Sequence, residues 1–372
     1  MRSGAQSAPL RFFILMKVFR YALIPFIALA CACGETNTDN PKTNDPVEPE
    51  EHVSTPVPGF AKGVDIGWVT EMEKKGYKFY TEAGAKKECT ALMRDLGANA
   101  VRYRVWVNPS DGWCNKEDVL EKAKRAQRLG LAIMIDFHYS DTWADPAKQY
   151  TPAAWASMSV NEMSTALANH TKDVLNLLKE NEIDVAWVQV GNETRTGMCW
   201  PTGKINSGDA TNFAILANAG YNAVKSVYPD ALVLLHHDVA NDLGRCNYFF
   251  GAVKKANVKY DMIGLSLYPS YWDDNANAYP DWTSKTYAAV SNFKTLHDTY
   301  NKPVMLVEFG MPASEPDKAK AAFKYVLDGV ASYDWFKGVF YWEPESEKSR
   351  NGYDYGAFLN GKSTGVIDLY NE

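Results

Sequence analysis

Long runs of positive charge are missing from this chain of 372 residues, whose formal net charge is −6. Nucleic acid is therefore excluded as the expected partner, since phosphate recognition needs a basic face. No Gly-rich phosphate loop follows the first strand-like segment, which argues against a doubly wound nucleotide-binding sheet. No internal repeat is visible, so a solenoid is not expected. Cysteine is scarce, six residues in all, and its spacing and neighbours do not suggest a zinc site.

Apolar and aromatic residues are plentiful. The chain is 46% hydrophobic and 23% charged, enough to bury a large core, and it carries 11 Trp and 21 Tyr. Many of these aromatics fall beside Gly, Pro and Asp in predicted loops. There they suit a ligand with flat apolar faces, such as a sugar. Simple core packing is the competing explanation.

The N-terminus looks like an address. In "MKVFRYALIPFIALACACGE", starting at Met16, Lys17 and Arg20 precede an apolar stretch from Tyr21 to Ala30, too short to span a bilayer. Small residues before Cys31 and Cys33 resemble a lipoprotein box, without the expected Leu three residues earlier. Residues 1–33 are thus expected to be a targeting segment. The expected location is the outer membrane of a Gram-negative bacterium, through a lipid anchor, with either the periplasm or the cell surface as the side it faces. Residues 34–58 have almost no large apolar side chains and many Pro, Asn, Thr and Glu, a composition expected to form a disordered tether. The folded domain is expected over 59–372, as a monomer. Its cysteines, Cys89, Cys114, Cys199 and Cys246, allow either two disulfides or four buried thiols.

From residue 60 onward, short β-branched runs alternate with longer amphipathic ones. Strands are expected at 62–66, 99–105, 131–137, 185–190, 231–235, 260–267, 303–307 and 337–341, and helices over 117–129, 159–182 and 316–333. In 117–129, Val119, Ala123 and Ala126 share a face. Apolar strands separated by helices imply a parallel sheet buried on both sides. Eight such units predict one α/β domain, a (β/α)8 barrel; an open sheet is the alternative.

In a barrel, active residues gather at the C-terminal ends of the strands. Asp65 lies near the first end and Arg102 and Arg104 on the second strand; His138, Asp141, Trp143 and Asp145 follow the third. Asn192 and Glu193 follow the fourth, His236, His237 and Asp238 the fifth, Tyr268 the sixth, and Glu308 ends the seventh, with Trp342 and Glu343 at the eighth. Glu193 and Glu308 are acids on opposed strands, the arrangement glycoside hydrolysis uses for a proton donor and a second carboxylate. Asn192 suits the sugar 2-OH, an arginine beside Glu308 would hold it ionised, Tyr268 can donate to it, and Trp342 can floor the site.

The stretches "GVDIGW", "VRYRVWVNPSDG", "DFHYSDTWADPAKQYTPAAW", "VQVGNETRTGMCWPTG", "SLYPSYW", "KPVMLVEFG" and "VFYWEP" run in order from Gly63 to Pro344. Together they resemble the endo-β-1,4-galactanases of glycoside hydrolase family 53. The resemblance implies retaining endohydrolysis of β-1,4-galactan, the side chain of type I arabinogalactan in pectin. It implies Glu193 as acid/base and Glu308 as nucleophile, with Arg102, Asn192, Tyr268 and Trp342 lining the cleavage subsite. Asp65, His138, Asp141 and Trp143 would lie along the glycone side. Some bacterial relatives carry a long calcium loop after strand 7. Here Phe309 to Glu315 leads directly into a helix pattern near Pro316, so calcium is not carried over and no cofactor is expected. The oxygen-rich stretch 271–282 is read as a solvated loop, with an ion as its alternative. The loop after strand 8, "EPESEKSRNGYDYGAF", is expected to influence product length.

Three other readings stand beside this one: a related barrel acting on mannan or glucan, a glycan-binding protein without catalysis, and a metal-dependent hydrolase using His138, His236, His237 and Asp238. The last conflicts with alternation, since adjacent His236 and His237 face opposite sides of an extended segment. One of the two is expected to line the groove and the other to pack.

Overall fold

The β-branched and apolar runs pair as eight parallel strands, and the last returns to the first. The strands are β1 (Ala61–Asp65), β2 (Ala100–Val105), β3 (Ala132–Phe137), β4 (Trp187–Val190), β5 (Leu232–His237), β6 (Met262–Leu267), β7 (Val304–Phe309) and β8 (Phe336–Trp342). They form a closed barrel in chain order, with β1 paired to β2 on one side and β8 on the other. The computed structural model describes residues 54–270 and 281–372. The targeting segment and nearly all of the expected tether lie outside the described residues, as does most of the 271–282 stretch. Thr55, within the segment expected as tether, donates its backbone N–H to Asp184 at 2.6 Å.

The expected helices form at Lys116–Arg128 (α1), Val160–Glu180 (α2) and Pro316–Val330 (α3). Their starts carry recognisable caps: Asn115 accepts from the Asp118 N–H at 2.8 Å, Ser159 and Glu162 form a capping box, and Pro316 sits in the first turn. Strands β5 and β7 run two residues beyond their expected ends, because His236, His237, Glu308 and Phe309 continue the ladder. Among the described residues no helix is long and apolar enough to cross a membrane.

Period-two alternation divides every strand between two environments. Outward residues such as Val101, Ile133, Val188, Val233 and Ile263 pack against the surrounding helices. Inward residues Ala61, Ala100, Ala132, Met134, Trp187, Leu234, Met262, Met305, Val307 and Phe340 fill the barrel. Trp187 and Phe340 meet edge to face at 6.3 Å, and Gly63 leaves the room, since a Cβ there would run into the Phe340 ring. Cys89, Cys114, Cys199 and Cys246 are all buried free thiols, which decides against the two-disulfide alternative.

Small accessory ladders dress the barrel. Gly197–Met198 pairs with Gly203–Lys204 just after Glu193. Phe79–Tyr80, Lys86–Lys87, Phe358–Leu359 and Lys362–Ser363 join an early segment to the C-terminal one.

Candidate active site

Further along the same inward positions, toward the C-terminal ends, the side chains become polar. Asp65, Arg102, Arg104, Asp136, Gln189, His236, Ser266 and Glu308 are each almost without exposed surface. A strict alternation would turn Glu308 outward, since Val307 already faces in. The register resolves this: Leu265 pairs with Leu306 but Ser266 pairs with Glu308, so a bulge in β7 re-aims the carboxylate to the interior.

Arg102 organises the centre. Its Nη1 lies 2.7 Å from Asp65 Oδ2 and 3.0 Å from Glu308 Oε1, and its Nη2 lies 2.9 Å from Asp136 Oδ2 and 3.0 Å from Asn192 Oδ1. Tyr268 donates to the other Glu308 oxygen at 2.8 Å. Glu308 therefore holds a cation and a hydroxyl. Burial nevertheless pushes its carboxyl above the usual range, with Arg102 and Tyr268 pulling the other way. Arg102 pulls the value down, as expected of an arginine beside this carboxyl, while burial at 5% exposure acts in the opposite direction and is the larger effect.

Glu193 has no such support. Gly191 turns the chain off β4 with φ +87°, where a Cβ would meet Thr194 Cγ2 at 2.5 Å, and Glu193 itself sits at φ 47°, ψ 50°. Such a left-handed non-glycine conformation costs about 1–3 kcal/mol and needs outside constraint. His236 Nδ1 accepts the Glu193 N–H at 3.2 Å, Gln149 Nε2 donates to the Asn192 carbonyl at 2.8 Å, and Asn192 Nδ2 donates to the Ala144 carbonyl at 2.8 Å. Among the described residues, the partly buried Glu193 carboxyl receives one hydrogen bond, from the Ser266 hydroxyl at 3.2 Å. Burial, then the charges of Glu308, Asp238 and Asp145, push it well above the carboxylate range. One oxygen of Glu193, one of Glu308 and a ring nitrogen of His236 lie within 4.8 Å of one another.

Asp65 and His138 lie beneath the groove. Asp65 has no exposed surface and braces Arg102; burial pushes it up to about 7, against Arg102. His138 Nδ1 accepts from Trp106 Nε1 at 3.3 Å and the Ala144 N–H at 3.1 Å, so Nε2 carries the proton toward Asp136 at 3.0 Å. Burial would raise Asp136, but Arg102 and His138 outweigh it and hold it low. Asp141 stands apart, joining two loops through the Asn108 N–H at 3.0 Å and the Ala153 N–H at 2.8 Å.

Trp143 and Trp342 are partly exposed and meet at 5.9 Å. Trp68 lies between them, 5.5 and 5.3 Å away, and Tyr353 lies 4.6 Å from Trp342. Arg104 sits beneath, 4.4 Å from the Trp143 ring and 5.0 Å from that of Trp68, and is paired with Glu343. A desolvated cation under an indole face contributes roughly 2 kcal/mol and holds the rings in place.

The proposed metal quartet does not converge. His237 points out of the barrel, 5.7 Å from Phe249 and 6.1 Å from Phe250, and its Nδ1 accepts the Val239 N–H at 3.1 Å. Glu193, His236 and Glu308 form the one metal-sized donor group among the described residues. Both His236 nitrogens are already engaged, Nδ1 by the Glu193 N–H and Nε2 by Ser266 at 2.6 Å.

Residue-by-residue reading overlooked Asp136, Gln189, Ser266, Trp68 and Tyr353. Alternation could have found three: Asp136 stands two before His138, Ser266 two before Tyr268, and Gln189 two after Trp187.

Known proteins are similar to this chain in sequence and in fold. The family model for glycosyl hydrolase family 53 matches residues 61–334. The arabinogalactan endo-beta-1,4-galactanase of Thermothelomyces thermophilus is 34% identical over 307 residues, 76% of this chain and 89% of that one. A fungal beta-1,4-galactanase structure superposes with a TM-score of 0.75 at 31% identity, covering 83% of this chain and 98% of the other. The family 53 catalytic domain of Ignisphaera aggregans shares the fold with a TM-score of 0.73 at 24% identity, over 86% and 98%.

Proposed function

The chain belongs to glycosyl hydrolase family 53, and on that premise we propose that it cleaves internal β-1,4-galactosidic bonds of galactan with retention of configuration. The observation that carries the mechanism is the unequal support of two close carboxyls. Glu308 meets Arg102 and Tyr268, whereas Glu193 meets one neutral hydroxyl. Environments that push two titratable groups apart divide acid from nucleophile.

In the first step the Glu193 carboxyl gives its proton to the leaving glycosidic oxygen while a Glu308 oxygen attacks the anomeric carbon. In the second, Glu193 takes a proton from water, whose oxygen displaces Glu308. An oxygen separation within 4.8 Å supports this close-set geometry over the roughly 6.5–9.5 Å an inverting pair needs to seat water. Asn192, fixed by Arg102 and Ala144, is offered to the 2-OH, and the Trp68, Trp143 and Trp342 basin to the sugar faces.

The relatives' names support galactan as the polymer. The test is reducing-sugar release from β-1,4-galactan, β-mannan and cellulosic glucan by the full chain, with Glu193→Gln and Glu308→Gln as controls. Release from galactan alone, lost in both variants, is expected; release from another backbone overturns the substrate. The Lys17, Arg20 and Cys31 or Cys33 pattern supports an exported, lipid-anchored enzyme. Acyl labelling lost on replacing those cysteines is the corresponding check. No step here uses a dissociable cofactor, so EDTA is expected to leave the rate unchanged within about twofold, a larger loss pointing to a needed ion.

A further inference from the structure

On β6 and just after it, alternation places Gly264, Ser266 and Tyr268 on one side, and the bulge opposite sets Ser266 beside Glu308. Ser266 has no exposed surface. Its Oγ lies 3.2 Å from Glu193 Oε1 and 2.6 Å from His236 Nε2. A serine hydroxyl has a single proton, so the histidine decides where that proton points.

The histidine's own state follows from its other nitrogen. His236 Nδ1 lies 3.2 Å from the Glu193 backbone N–H, an obligatory donor, and 2.8 Å from Gln189 Nε2. That nitrogen must present its lone pair. Asn192 Oδ1 is 3.0 Å from the same nitrogen, but it already accepts from Arg102 Nη2 at 3.0 Å and from Gln189 Nε2 at 3.2 Å. The opposite tautomer would leave the Glu193 N–H without its acceptor. Burial, with Arg102 and His237, holds His236 well below its ordinary range, so the ring is neutral with its proton on Nε2. That N–H donates to Ser266 Oγ, which leaves the serine proton for Glu193 Oε1.

We propose that Ser266, oriented by His236, is a positioning residue that gives the two oxygens of Glu193 separate tasks. Oε1 accepts the Ser266 hydroxyl throughout the cycle, and Oε2 carries the transferable proton. In the acid step the Oε2–H bond breaks, the proton goes to the leaving oxygen, and its electron pair stays on the carboxylate. In the base step Oε2 takes a proton from the attacking water. The Ser266 bond strengthens as charge appears on Glu193, because a donated hydrogen bond favours the ionised form. The inference rests on Glu193 being the acid/base.

The groups facing Glu193 are Glu308 on β7, Asp238 after β5, Asp145 after β3, His236 on β5 and Tyr268 just after β6. Asp238 is paired with Arg195 at 2.8 Å, and Ser266→Ala changes none of these charges. Losing the hydroxyl removes a bond that lowers the Glu193 value, so the acid form persists to higher pH. The basic limb of kcat/KM on galactan is expected to rise by about 0.5–1 pH unit. The rate is expected to fall about tenfold at the wild-type optimum with KM within about twofold, as for a lost general-acid alignment. Toward a dinitrophenyl β-galacto-oligosaccharide, whose leaving group needs no proton, kcat/KM is expected to change by less than about twofold.

The experiment compares these profiles for the full chain, Ser266→Ala and Glu193→Gln, and reads the wild-type His236 tautomer by nitrogen-15 NMR. A Glu193-dependent limb that does not move in Ser266→Ala, or a proton on Nδ1, overturns the role of Ser266 alone. A basic limb that persists unchanged in Glu193→Gln overturns the acid/base reading and this inference with it.

Discussion

The two halves of the barrel interior are built on the same eight strands, with one alternation broken only by the bulge in β7, yet they obey opposite rules. In the half toward the strand N-termini, Ala, Met, Val, Leu and Phe fill the space with apolar atoms, and Trp187 brings an indole N–H as a polar group. In the half toward the C-termini, acids and arginines with almost no exposed surface are held by one another. The first half contributes stability through area removed from water. The second sacrifices that contribution for placed charge, and it remains stable only because each carboxyl finds a donor. The shared strands supply the rigid mount, and side-chain chemistry, with the β7 bulge that turns Glu308 inward, separates scaffold from site.

Substitutions can break that division. The largest expected effect is in the polar half: Glu308→Gln should lower turnover of galactan on the order of 10⁴-fold, with thermal melting unchanged or raised. Arg102→Met should act on both properties. It strands Asp65, Asp136 and Glu308 without their cation, so denaturant titration is expected to show a loss of about 3–5 kcal/mol. Because Arg102 pulls the Glu308 value down, its removal also moves the acid limb of kcat/KM upward. In the apolar half, Phe340→Ala should cost about 3–5 kcal/mol by opening a cavity beside Trp187, while KM for galactan stays within about twofold. A large KM change there would mean the halves are not separate. The smallest effect is Tyr268→Phe, which removes one donor from Glu308. Its acid limb should rise by less than about 1 pH unit, since one hydrogen bond contributes about 1 kcal/mol.

The fold was readable because both sides of every barrel strand are buried, which writes β-branched runs such as 131–137 directly into the chain. Glu193 and Glu308 were readable because each stands where such a run stops. The bulge in β7 was not, since a register shift depends on the neighbouring strand and leaves no local mark on "VMLVEF". Ser266 and Asp136 were passed over because a polar residue inside a strand has no meaning until its partner is known. Asp65 and His138 were placed along the groove by the family resemblance. Contact with Arg102 and Asp136 draws them beneath it. The accessory sheet, which joins Tyr80 to Lys362, depends on pairing too distant in sequence to foresee.

The assignment of roles to the two carboxyls is tested most directly by azide rescue of Glu193→Ala and Glu308→Ala with a dinitrophenyl β-galacto-oligosaccharide. With Glu193 as acid/base, azide should intercept the glycosyl intermediate in Glu193→Ala and yield the β-azide. With Glu308 as nucleophile, azide should take its place in Glu308→Ala and yield the α-azide. The reverse pairing of products and variants would contradict the account.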